Sequence, residues 1–207
     1  MIPRQTFSSD AILDAARDVV VRDGARALTI DAVTRATAVP VGSIYHRFRS
    51  VDELLARLWL RAARRSQDAG LDAAAALGDR AWDDPGEAAV SVALALYDFC
   101  VRERSDAILL ASFRPADLLR LQLPAELATD LTTINEPIKP LIDRIARACF
   151  GRANARTRDL VHLVLADLPY GFGRRHLEAG LTPPPSHRAA LGPAVRAVLS
   201  SAGSARD

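Results

Sequence analysis

The stretch from Leu28 to Phe48 constrains the fold more than any other part of the chain. Ile30, Val33 and Ala36 recur at helical spacing behind Thr29, whose hydroxyl can accept from a free amide of the first turn. Thr37-Ala38-Val39 breaks that pattern. Pro40 suits the first turn of a second helix, where its missing N–H costs nothing. In that helix Ile44 and Phe48 stand four residues apart on one face. The other face carries Val41, Gly42, Ser43, Tyr45, His46 and Arg47, small near the start and longer and polar behind. A helix that opens on small residues can enter the major groove of a duplex, and the polar groups behind it can reach phosphates.

This stretch resembles the helix-turn-helix of the tetracycline-repressor (TetR) family of transcriptional regulators. The family pattern is a Thr-led helix, an Ala-x-x-Gly-Val turn, Gly-(Thr or Ser)-(Leu or Ile)-Tyr-x-(His or Tyr)-Phe, and then a short acidic helix start. The matching residues are Thr29, Ala36, Val39, Gly42, Ser43, Ile44, Tyr45 and Phe48, followed by Asp52-Glu53-Leu54. Three positions depart from it. Ala38 holds the place of the turn glycine, Pro40 that of the serine N-cap, and Val51 that of a phosphate-touching lysine, a charge that Arg49 can supply. The resemblance implies an all-α chain, with a three-helix DNA-binding domain over residues 1–50 and a helical ligand-binding and dimerisation domain over 51–207. It implies repression relieved by a small molecule. The DNA-binding set it implies is Thr29, Pro40, Val41, Gly42, Ser43, Tyr45, His46, Arg47 and Arg49.

Charge distribution agrees with a DNA-reading end. The whole chain carries 27 basic against 25 acidic residues, which alone points to no nucleic acid. Residues 1–65 hold 11 arginines against 7 acids and the remainder 16 basic against 18 acidic, so +4 lies at the front and −2 behind. With 49% hydrophobic and only 5% aromatic residues, the core should be aliphatic, alanine-rich and helical. Cys100 and Cys149 sit in apolar helical sequence without a C-x-x-C pattern, the usage of buried thiols. The first nine residues lack the apolar run of a signal peptide, and no run of about 18 apolar residues occurs, so a cytoplasmic protein without a membrane partner is expected.

Taken in order, the chain reads as follows. Residues 1–8 form an arm, with Arg4 placed to reach DNA or to lie in a disordered tail. Helix one spans Ser9 to Asp23, with Ile12, Leu13, Ala16, Val19 and Val20 inward and Gly24 as its stop. Ser50 and Glu53 form a capping box for helix four. That helix buries Leu54, Leu55, Leu58 and Trp59, while Arg57, Arg61, Arg64 and Arg65 make a solvated face. Asp84, Pro85 and Glu87 start a helix that runs to about Arg104. Ser105-Asp106 caps a short helix through Phe113. A long helix is expected from about Ala125 to Phe150, kinked by Pro137 and Pro140 at about 3 kcal/mol per uncompensated proline. Asn154 caps a helix to about Ala179, interrupted at Pro169, Gly171 and Gly173. Ser186 caps the last helix, whose regular part begins only near Pro193, and residues 200–207 form a polar tail.

Catalytic signatures are missing. The sequence has no phosphate loop, dinucleotide fingerprint or nucleophile elbow, and no cofactor, metal or catalytic residue is assigned. His162, Asp167 and Cys100 read better as satisfied buried polar groups or cavity lining than as a metal set. Tyr97, Cys100, Phe113, Leu118, Leu121, Ile134, Ile138, His162 and Tyr170 are the candidates for holding a small apolar effector. Helices near 155–179 and 187–200 should pair with a second copy, because Leu160, Val164, Leu168, Leu191, Val195 and Val198 are too many apolar residues to leave in water. The expected partners are therefore double-stranded operator DNA, a small-molecule effector and a second subunit in a homodimer. The competing reading is a helical enzyme or lipid-binding protein with an incidental helix-turn-helix-like hairpin. It needs catalytic residues that the sequence does not contain.

Overall fold

A computed structural model describes residues 8–78 and 82–204, and every regular element in it is helical. Arg4 lies outside the described residues. The elements are α1 (Ser9–Asp23), a 3-10 turn (Ala25–Ala27), α2 (Ile30–Thr37), α3 (Val41–Arg47), α4 (Val51–Ala76), α5 (Pro85–Arg102) and α6 (Arg104–Ser112). They continue as α7 (Pro115–Leu118), α8 (Ala125–Thr133), α9 (Lys139–Phe150), α10 (Ala155–His162), a π turn (Leu163–Asp167), α11 (Leu168–Glu178) and α12 (Pro185–Ser204). They form two compact units. The first holds the chain up to Ala63 together with Ile108–Ile134, and the second holds Arg64–Ala107 and the chain from Asn135 on.

The first unit does not stop at residue 50, and its core shows why. Ile12, Ala16, Val33 and Ile44 of the first three helices, with Val39 of the turn, pack with Leu54 and Leu58 of α4, all completely buried. Leu109, Leu118, Leu127 and Leu131 close the same core from a distant part of the chain. Residues 108–134 thus belong with the helix-turn-helix because they cover the side of α4 that would otherwise meet water. Helix ends follow local chemistry. Ser8 Oγ accepts the Ala11 N–H at 3.1 Å to start α1, and Gly24, at φ 83°, ends it in the conformation glycine adopts freely. Arg61 is tied to Asp14 at 2.7 Å and Arg57 to Glu53 at 2.8 Å, so these arginines fasten the unit instead of forming the solvated face expected of them.

In the second unit α5 is the central helix. Ala88, Ala89, Val92 and Ala93 are fully buried, and their small side chains let α11 and α12 come close. At Gly192 of α12 an added Cβ would stand 3.3 Å from Val90 Cγ1, a tight contact that Val90 would have to relieve by shifting a few tenths of an ångström. Asp84 caps α5 by accepting the Glu87 N–H at 3.0 Å, with Pro85 in the first turn as expected. Arg65 belongs to an ion pair with the buried Asp106 at 2.6 Å and with Glu103 at 2.8 Å.

Three helical expectations change. The single long helix over 125–150 is two helices, because the chain turns through Ile134–Ile138, where Pro137 offers no N–H, and Pro140 then serves in the first turn of α9. From Ala155 to Glu178 the chain stays helical, and a π turn just ahead of Pro169 absorbs the break. The last helix begins at Pro185 and runs straight through Pro193 to Ser204, so Ser200–Ser204 is helix and not a polar tail. Burial of Leu191, Val195 and Leu199 along one side outweighs the hydrogen bond lost at the proline, a loss of about 3 kcal/mol. The same burial changes the surface account. Val164, Leu191 and Val195 are already covered by this chain's own α5 and α9, and only Leu160, Leu168 and Val198 of that apolar set keep part of their surface.

Candidate nucleic-acid interface

The helix-turn-helix is built as its residues suggest. Thr29 Oγ1 accepts the Ala32 N–H at 3.0 Å and opens α2. At the far end Thr37 Oγ1 donates to the Val33 carbonyl at 2.8 Å and accepts the Val39 N–H at 3.2 Å, so one side chain holds both sides of the turn. Ala38 takes the left-handed conformation, φ 55° and ψ 16°, the only non-glycine residue to do so among the described residues. Val39 is completely buried under the turn. Pro40 is exposed at the N-cap of α3 without a side-chain cap, and its carbonyl accepts the Ser43 N–H at 2.8 Å.

Helix α3 is divided cleanly into an anchored and an open side. Ile44 is fully buried and Phe48 is 2% exposed, as their spacing predicts. Tyr45 is 52% and Val41 39% exposed, two of the few large apolar residues that meet water among the described residues. A Cβ added at Gly42 would meet nothing within 4 Å, so the first turn of α3 presents a low, open surface. His46 is exposed and Ser43 half-buried. Arg47 is half-buried, with its guanidinium donating to the Ser43 carbonyl at 3.1 Å.

Behind α3 the start of α4 is pinned by a buried carboxylate. Ser50 Oγ accepts the Glu53 N–H at 3.0 Å. Glu53 reaches back one residue further than a simple capping box, and accepts the Arg49 N–H at 3.1 Å. The same carboxylate takes Arg57 Nε at 2.8 Å, and the residue is 3% exposed. The Arg49 backbone is therefore held while its side chain stays exposed. The sequence pattern does not single out Arg35, a further candidate on this surface. Arg35 is exposed on α2 and has no acidic partner among the described residues, whereas Arg17, Arg22, Arg57 and Arg61 of the same unit are all ion-paired. Its place four residues after Asp31 on the outer side of α2 was the available signal.

The candidate effector residues are divided between the units. Leu118 and Ile134, with Phe113 and Leu121 against them, belong to the core of the first. Tyr97 and Ile138 belong to that of the second. His162 is on the surface, its Nδ1 3.9 Å from Asp167 Oδ2 across the π turn. A closer group remains on α5 and α11. Burial pushes the Cys100 thiol up to about 12. Tyr170, which donates to Glu178 at 3.3 Å, is pushed up to about 12 by burial, by the Glu178 charge and by the nearby Cys100. Tyr97 is raised by burial and by Asp98, with Cys100 again contributing. Tyr97 and Cys100 stand three residues apart on α5, against which α11 with Tyr170 packs, and Phe113, Leu118, Leu121 and Ile134 belong to the other core. Both cysteines are free thiols, Cys100 buried and Cys149 half-buried. No group of three or more metal-ligating side chains occurs among the described residues, and no described helix is long and apolar enough to cross a membrane.

Residues 12–58 match the family model of the bacterial regulatory proteins of the tetR family. Solved structures extend the likeness of fold to nearly the whole chain. A TetR family transcription regulator from Marinobacter aquaeolei superposes with a TM-score of 0.69 at 13% identity, over 91% of this chain and 93% of that one. The TetR family regulator PfmR from Thermus thermophilus gives 0.67 at 17% identity, over 91% and 97%. The fatty acid degradation regulator FadR from Bacillus halodurans gives 0.64 at 17% identity, over 93% and 97%. No curated protein matches the sequence.

Proposed function

We infer that this chain, which belongs to the TetR family and is a DNA-binding regulator of transcription, represses its target and is released from it by a small apolar molecule. The observation that carries DNA contact is the division of α3, with Ile44 and Phe48 anchored and Val41, Gly42, Tyr45 and His46 open to solvent. On this reading Val41, Gly42 and Ser43 face base edges. Thr29, Tyr45, His46, Arg47 and Arg49 serve phosphates, Arg35 joins them, and Pro40 sets the entry of α3. Phosphate contacts fix register and orientation, and base contacts supply the sequence preference.

A second copy completes the reader. Two seven-residue recognition helices about 34 Å apart enter successive major grooves on one DNA face. Leu160, Leu168 and Val198, each partly exposed, are the apolar surface that supports pairing through α10–α12. The effector belongs in the second unit, where Tyr97 and Ile138 share an apolar core and α11, which carries Tyr170, packs on α5, which carries Tyr97 and Cys100. Similarity of fold to a regulator of fatty acid degradation makes an acyl chain the first compound to try. Release requires that the effector prefer the state that cannot bind DNA, since equal affinity for both states shifts nothing.

A band shift with the intergenic DNA next to the gene tests the first step. Wild type should retard it and Arg47→Ala should lose most of that retardation. Equal binding by the variant would show that α3 is not the reading element. Expression from the adjacent promoter should rise when the gene is deleted, and a fall would make the protein an activator.

A further inference from the structure

Residues 113–123 run beside α4 toward its start. The Trp59 indole donates to the Phe113 carbonyl at 3.1 Å, and nine residues later the Gln122 N–H donates to Asp52 at 3.4 Å. Trp59 and Asp52 are seven residues apart on α4, about 10 Å along its axis. The segment therefore descends along the helix to its first turn, which follows α3 by only a few residues. Leu118, 1% exposed, anchors it in the core of the same compact unit, and Arg57 reaches Glu126 at 3.6 Å just beyond. The descent places Arg120 two residues from the contact with Asp52. Arg120 is exposed, and its side chain has no hydrogen bond or ion pair among the described residues.

The arginines of this unit are of two kinds, ion-paired and not, and Arg26 and Arg114 are also exposed without an ion pair among the described residues. Arg17, Arg22, Arg57 and Arg61 are neutralised by acids on α1 and α4. Arg35 and Arg49, on and beside the helix-turn-helix, have exposed side chains with no acidic partner, and Arg120 shares that state although it lies more than 70 residues away in sequence. Nothing in the core requires an arginine at an exposed turn between Leu119 and Leu121.

We propose that Arg120 is a phosphate-binding residue outside the helix-turn-helix, which grips the DNA backbone flanking the base pairs read by α3. This rests on α3 as the DNA-facing helix. A contact of this kind carries no sequence information but adds one phosphate to the count that sets salt dependence.

The test is fluorescence anisotropy with the intergenic duplex, titrated between about 50 and 200 mM salt. Arg120→Ala should flatten the slope of log affinity against log salt by about 0.9 for each chain bound, with equal weakening on unrelated duplexes. Arg120→Lys should keep the slope. Arg175→Ala, an exposed arginine of the second unit, should leave it unchanged. On a duplex trimmed to the base pairs under α3, Arg120→Ala and wild type should bind alike, because the flanking phosphates are gone. A wild-type slope for Arg120→Ala alongside a flattened one for Arg47→Ala overturns this inference and leaves the helix-turn-helix reading standing. Unchanged binding by Arg47→Ala overturns both. Circular dichroism of the Arg120 variants confirms that an exposed side chain was removed without loss of fold.

Discussion

Ala38→Gly should make the protein more stable, and its size can be worked out from one backbone angle. Ala38 sits at φ 55° and ψ 16° between α2 and α3, where a Cβ crowds the neighbouring carbonyl. The left-handed conformation costs a non-glycine residue about 1–2 kcal/mol. Glycine removes that cost but has more freedom to lose on folding, about 0.5–1 kcal/mol. Ala38 is exposed, so removing its methyl empties no core space. The balance is a gain of about 1 kcal/mol. Such a gain raises Tm by about 2–4 °C if the chain melts as one body, and by nearer ~4–8 °C if the first unit melts alone. Urea unfolding followed by circular dichroism should show a higher midpoint with an unchanged slope, the sign of altered stability without altered compactness. Ala38→Val should go the other way, since a branched side chain tolerates this conformation worst. If glycine leaves the midpoint unmoved or lowers it, the turn is not strained at Ala38 and the reasoning is refuted.

Other perturbations address function and pH. Tyr45→Phe should weaken binding to all duplexes alike, by about three- to tenfold, because a lost phosphate hydrogen bond is sequence-independent; a band shift that fails on one operator variant only would assign Tyr45 to bases. Ile138→Trp should blunt the response to an effector while leaving operator binding intact, read by adding candidate compounds to the band shift; an unaltered response would place the effector elsewhere. Arg158 donates to Asp143 at 2.6 Å and holds its carboxyl below the ordinary carboxylate range. That contribution is complete above the ordinary range and drains as pH falls through the depressed value, so wild type should be more stable than Arg158→Ala at neutral pH and the two acid-unfolding curves should converge at their lowest pH. Curves that stay apart at the acid end would deny the pair its role.

Features decided within one turn of chain were legible in the sequence. Thr29, Asp84 and Asn154 each cap the helix assigned to them, because a cap depends on a side-chain oxygen and an amide three residues on. The buried pair Ile44 and Phe48 followed from spacing alone. What the sequence hid was decided across the chain. Pro193 does not delay α12, because Leu191 and Val195 pack with α5, far back along the chain, and their burial outweighs a local penalty. Arg61 read as a solvated charge until Asp14, 47 residues away, came within 2.7 Å. The effector set mixed two cores because leucine and isoleucine look alike in sequence whichever core they enter.

The first unit is assembled from two separate lengths of chain, and this has a consequence for synthesis. The helix-turn-helix and the start of α4 leave the ribosome early, but Leu109, Leu118, Leu127 and Leu131, which close their core, come up to about 70 residues later. At roughly 5–20 residues per second that is a wait on the order of 4–14 s. A nascent or prematurely ended chain that stops after Ala63 exposes Leu54, Leu58 and Trp59 and lacks the residues that cover them. The unit that carries the helix-turn-helix is completed only after α8 has been made, so a product truncated after Ala63 is expected to be less stable than the full chain.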